Sequence, residues 1–127
     1  MSTNNSVFTF LKSEGLMPEE TEFGITFKYQ MCNFIIIKDD DDQSFVHIAM
    51  PGIYDVTEDT LFDVLMACNE VNKSIKVAKV VANDDNVWIM YELVLDSSPV
   101  YDDVIPRGLQ TLMSARNVFY QKLKGEI

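Results

Sequence analysis

The stretch Asn69–Asp96 constrains the fold more than any other part of the chain. It reads Asn-Glu-Val-Asn-Lys-Ser-Ile-Lys-Val-Ala-Lys-Val-Val-Ala-Asn-Asp-Asp-Asn-Val-Trp-Ile-Met-Tyr-Glu-Leu-Val-Leu-Asp. A helix runs out at Asn72–Ser74, a strand begins at Lys76, Asn83–Asn86 turns the chain, and a second, longer strand returns. The unit is therefore a helix followed by a β-hairpin. It contains no recognisable catalytic group.

The flanking sequence completes the element order. Ser6 can cap a short first helix whose apolar side is Val7, Phe8, Phe10 and Leu11, with Gly15 at its left-handed end. Glu19, Glu20 and Glu22 make an exposed link. Phe23, Ile25, Phe27 and Tyr29 alternate with smaller or polar residues, which predicts a strand over 23–29. A near-continuous apolar run predicts a second strand over 32–38, either mid-sheet or covered on both faces. The turn between them, Gln30-Met31, lacks the glycine or asparagine that two-residue hairpins favour.

Strands are further predicted over 44–50, 76–82 and 87–96. Asp55 or Thr57 can cap a second helix over 58–74, and a last helix over 104–124 has Pro106 in its first turn. The order is α-β-β-β-α-β-β-α. Its tight connections predict an α+β domain with one antiparallel five-stranded sheet and three helices. A chain of 127 residues is a single domain over 1–127, and 47% hydrophobic residues supply an ample core.

Twenty acidic residues against ten basic ones give a formal charge of −10. Phosphate backbones and anionic membranes would repel such a surface, so neither nucleic acid nor membrane is expected as a partner. Val7–Leu11 is interrupted by Thr9 and is too short for a signal peptide, and no run approaches a membrane span. Cys32 and Cys68 belong to no metal or redox motif and read as buried free thiols of a reducing compartment. A cytoplasmic location follows as the expectation.

The candidates for chemistry are few. His47 is the only histidine, lies within a predicted strand and reads as a structural residue. The run Asp39–Asp42 invites comparison with a calcium loop, but the sixth and twelfth positions counted from Asp39 are Ser44 and Met50 instead of Gly and Glu. It reads as a solvated hairpin loop. No catalytic residue, metal site or cofactor is expected. Asn69 and Asn72 read as helix-end residues bonded to nearby backbone, and Arg116 as a snorkelling or ion-paired residue.

What remains is surplus apolar surface. Leu61, Phe62, Val64, Leu65 and Met66 spread beyond the single face that a sheet would bury. Trp88, Met90 and Val94 share one side of the last strand, which is either covered by a helix or left as a binding surface. These residues predict a homodimer through the second helix and the last strand, with Leu61, Phe62, Leu65, Met66, Trp88, Met90 and Val94 as the contact set.

One family combines these features. The segments Asn69–Lys73, Ile75–Val77, Asp84–Trp88 and Glu92 resemble the core of the YbjN family, whose members are proposed bacterial sensory transduction regulators. Phe27-Lys28-Tyr29, the acidic loop and Met50-Pro51 agree with it. The resemblance spans Val7 to Leu123 and implies a YbjN-like domain similar in fold to the small acidic type III secretion chaperones, which are dimers that bind extended polypeptide. It implies a non-enzymatic, protein-binding regulator. A secretion-type chaperone and a small-ligand sensor or hydrolase stand as alternatives, and no protein partner is named by the residues.

Overall fold

The computed structural model describes residues 3–38, 45–96 and 98–127. Three helices, α1 (Thr3–Ser13), α2 (Leu61–Ser74) and α3 (Tyr101–Leu123), accompany six strands. These are β1 (Glu19–Glu20), β2 (Gly24–Tyr29), β3 (Cys32–Ile37), β4 (Phe45–Met50), β5 (Ala78–Asn83) and β6 (Asn86–Val94). Every strand pairing is antiparallel and the spatial order is β1-β2-β3-β4-β6-β5.

The sheet thus has six strands where the sequence predicts five. The addition is β1, whose two glutamates pair with Thr26 and Ile25. A two-residue strand is too short to show alternation, and it lies in what reads as an exposed link.

Alternation works as expected in the remaining strands except at Phe23, which the pattern places on the buried face of a strand over 23–29 but which precedes β2 and is exposed. Ile25, Phe27, Phe34, Ile36, Val46, Ile48, Val87 and Ile89 are all buried on one face, with Ala78 and Val80 beside them. Phe27 and Phe34 are direct cross-strand partners and stack with ring centroids 5.5 Å apart. All three helices contribute to this same core, through Val7 and Leu11, through Val64, Ala67 and Val71, and through Ile105, Leu109, Leu112 and Phe119. Gly108 lets α3 approach closely. A Cβ there would lie 2.9 Å from Ile48 Cδ1 and 3.0 Å from the Tyr91 ring.

The element boundaries move for local reasons. α1 starts at Thr3, so Ser6 lies inside it and is not its cap. Its end follows the expected glycine pattern, with Gly15 N–H donating to Lys12 O and Leu16 N–H to Leu11 O. Before α2, Thr57 and Thr60 exchange hydrogen bonds, each hydroxyl accepting from the other's backbone N–H at 2.8 and 3.3 Å. Asp55 instead forms a bridge to Asn86.

Pro106 is not in the first turn of α3. The Val100 carbonyl already accepts from Asp103 and Val104, so the helix begins at Tyr101 and carries Pro106 internally. The bond it forgoes would have gone to the carbonyl of Asp102, an exposed residue where water can replace it. β5 starts at Ala78 because Val77 sits at φ 71, outside any strand conformation. The acidic run and Ser44 lie outside the described residues.

Candidate functional site

The helices leave the second face of the sheet bare. Thr26 and Lys28 on β2, Asn33, Ile35 and Ile37 on β3, and Trp88, Met90 and Val94 on β6 all project there, opposite the core positions of their strands. The run 34–37 therefore occupies mid-sheet as expected, but only its even positions are in the core. Ile35 and Ile37 belong to the bare face and stay half-buried.

A groove of about 670 Å³ lies on this face. Its lining includes Thr26 and Ile35 from the sheet together with Leu16, Met17, Pro51 and Trp88. A second hollow of about 360 Å³ continues it past Phe23, Ile37 and Lys38, and shares Ile35 and Trp88 with the first. Together they form one trough along β3, ended by Lys28 and Lys38, with Glu19 and Glu22 on the β1 side.

Local backbone builds the wall. Met17 sits at φ 51 and is 85% exposed. Phe23, 68% exposed, is held by the Thr21 hydroxyl, which accepts from Phe23 N–H at 3.2 Å and donates to Gly24 O at 2.9 Å. Neither residue is a contact candidate on sequence alone. The signal that could have found the sheet residues of the lining is the unbroken run Phe34–Ile37: successive residues of a strand cannot share one core face.

Beside the trough runs a polar ladder. His47 stands opposite Glu92 in the β4–β6 register, and Lys79 Nζ lies 2.6 Å from Glu92 Oε1. The hydrogen bond from Lys79 holds the Glu92 carboxyl below the usual range against partial burial, and nearby His47 adds to it. No three His, Cys, Asp or Glu side chains are placed to hold a metal among the described residues. Cys68 is buried, which raises its thiol pKa and keeps it unreactive. Arg116 lies over the Tyr120 ring at 4.8 Å.

The predicted contact set separates into two surfaces. Leu61, Phe62, Leu65 and Met66 are 43, 73, 50 and 44% exposed on α2, whereas Val64 is fully buried in the core. Helix α2 packs on the sheet face that carries Ala78 and Val80. Trp88, Met90 and Val94 project from the other face, so the sheet stands between the two groups. Among the described residues, no helix covers the Trp88 side.

No protein-family profile matches the chain, and no curated protein matches it in sequence. Solved structures do match. YbjN from E. coli, a proposed transcription regulator, superposes with a TM-score of 0.70 at 12% identity, covering 96% of this chain and 92% of that one. An uncharacterized protein from Methanothermobacter thermautotrophicus superposes with a TM-score of 0.65 at 13% identity, covering 98% of each chain. At these identities the likeness concerns architecture, and across nearly the whole length of both proteins this chain has a YbjN-like fold.

Proposed function

We propose that the chain is a non-enzymatic protein-binding domain of regulatory type, which engages its partners on the bare sheet face and associates with further copies of itself. The observation that carries this reading is the trough between Phe23 and Trp88. It is lined mainly by apolar residues, and each of its lysines shares its hollow with a glutamate, Lys28 with Glu19 and Lys38 with Glu22, whereas the chain as a whole carries −10. A low-charge apolar trough bounded by Trp, Met and Phe has the composition of interface hot spots. The likeness to a proposed transcription regulator supports a regulatory role for a domain with no phosphate-binding charge of its own. No catalytic group, metal or cofactor enters the reading.

The trough also favours a second version, a secretion-type chaperone holding an extended client. It follows β3 from Asn33 to Lys38, a length of about 17 Å that suits a short extended segment.

Trp88 is the only tryptophan, so its fluorescence reports on the trough directly. Panning a displayed random-peptide library against the wild-type chain is expected to enrich sequences that shift this emission. Their affinity should fall at least tenfold with Phe23→Glu and stay within a few-fold with His47→Ala. Enriched peptides that bind Phe23→Glu as tightly as wild type, or leave Trp88 emission unmoved, overturn the proposal.

A further inference from the structure

The helix-covered side of the sheet has a hollow of its own. It measures about 590 Å³ and opens between the end of α2, the link into β5 and the middle of α3. That volume is within the range of small-molecule sites. The charged residues of its lining are Lys76 and Arg107, and among the described residues no Asp or Glu joins them. In a chain of charge −10, a hollow with two cations and no acid runs against the trend of the surface.

Tyr91 points this hollow toward a ligand. It is only 6% exposed, on the core face of β6, yet it belongs to the lining. Its ring edge lies under α3 at Gly108. Its hydroxyl end is within electrostatic reach of Arg107: burial raises the phenol pKa, the Arg107 charge opposes that rise, and Asp103 adds to it. Among the described residues the hydroxyl has no hydrogen-bond partner. A tyrosine hydroxyl so far buried usually has one, and the open space at this residue is the hollow.

The cations suit an oxyanion. Arg107 Nε donates to Asp103 Oδ1 at 2.8 Å, one helical turn back, which leaves both terminal nitrogens of the guanidinium as donors. An ion pair as exposed as this one is weak, so Asp103 orients the guanidinium more than it neutralises it. The remaining fork matches the two oxygens of a carboxylate or phosphate. Lys76 faces the same hollow, and Val77 after it is held at φ 71, a conformation rare for β-branched residues and concentrated at ligand sites.

We propose that this hollow binds a small molecule through a carboxylate or phosphate group, with Arg107 and Lys76 supplying the charge and the Tyr91 hydroxyl donating a hydrogen bond from the buried end. The site is on the opposite side of the sheet from the trough and does not depend on the protein-binding reading.

The test is a pair of amide NMR titrations of the full chain, one with inorganic phosphate and one with acetate, at constant ionic strength against chloride. At least one anion should give saturating shifts at Lys76, Val77 and Thr111 in the low millimolar range. Arg107→Gln and Lys76→Gln should each weaken that binding by about fivefold or more. Tyr91→Phe, which keeps the ring beneath Gly108, should weaken it by about threefold or more. Lys124→Gln removes an equal charge about 25 Å further along α3 and should leave it unchanged. Which anion saturates tells a phosphate ligand from a carboxylate one. Shifts that stay linear with both anions overturn the proposal. So does binding that Arg107→Gln or Tyr91→Phe leaves intact, which would mean an adventitious ion only.

Discussion

Asn72 on α2 closes the edge of the sheet at Val80. Its side-chain carbonyl accepts from Val80 N–H at 2.8 Å and its amide donates to Val80 O at 3.1 Å. Strand β5 is an outer strand, and these are the backbone groups that a neighbouring strand would otherwise satisfy. One helical side chain thereby stands in for a strand. Asn72→Ala is expected to lower stability by about 1–3 kcal/mol, since both groups lose their partner beneath α2. Urea unfolding measures it, and an unchanged midpoint would mean that water serves the edge equally well.

The Gln30-Met31 turn is strained in a correctable way. Both residues are left-handed, at φ 49 and 66, between the paired Tyr29 and Cys32. Such backbone costs most side chains roughly 1–2 kcal/mol per residue, and Asn-Gly adopts it readily. Met31 is 96% exposed, so its replacement forfeits no packing. The double substitution to Asn-Gly should raise stability by about 1–2 kcal/mol, read as a higher thermal midpoint. A midpoint that falls would argue against the turn geometry.

Gly24 admits no side chain. It sits at φ 151, and a Cβ would come within 2.0 Å of the Ile36 carbonyl oxygen, which is backbone and cannot step aside. Gly24→Ala should therefore separate β2 from β3 at this end and cost more than about 3 kcal/mol, well above the usual effect of a substitution. Circular dichroism melting decides the matter; a loss below 1 kcal/mol would be incompatible with so close an approach.

Glu92 gives stability a pH dependence of known sign. Its carboxyl pKa is lowered in the folded state, first by the hydrogen bond from Lys79. A lowered folded value contributes stability that is fully present above the unfolded value of about 4.3, and that is lost as pH falls through the folded value. Lys79→Gln should lower the unfolding midpoint near neutrality, where the contribution is fully present, and converge on wild type as pH falls toward about pH 3, so that its own decline is flatter. The pair is partly exposed, so added salt should mimic part of the substitution. Parallel pH profiles for wild type and variant would exclude the contribution.

The core was legible because its signals are periodic. Alternation located Ile25 and Phe27, helical spacing located Leu109, Leu112 and Phe119, and all are buried as their patterns require. What escaped depends on contacts across the chain. No local pattern announces that Glu19 will lie beside Thr26, or that Val77 will leave strand geometry one residue before Ala78. The surplus apolar residues of α2 and β6 could be picked out singly, Phe62 and Trp88 among them, because an excess of apolar positions shows in sequence. Their division between two sides could not, since it depends on which sheet face receives all the helices. Asn72 is intermediate: a bond to nearby backbone was expected, and the backbone proved to belong to the following strand.

The position of β6 between β4 and β5 bears on how the chain matures as it leaves the ribosome. Through Asn83, everything needed for the first four strands and for α2 has been synthesised, yet β4 has only β3 beside it and β5 has no strand partner at all. Residues Asn86–Val94 supply the missing neighbour of both in one stroke, with Val46 set against Leu93 and Val80 against Ile89. Until then Val46 and Ile48 stand at an open edge, the kind of apolar strand that recruits wrong partners. A nascent chain of this topology completes its sheet only when the last hairpin arrives, followed at once by α3, which covers the face that carries Val46 and Ile48.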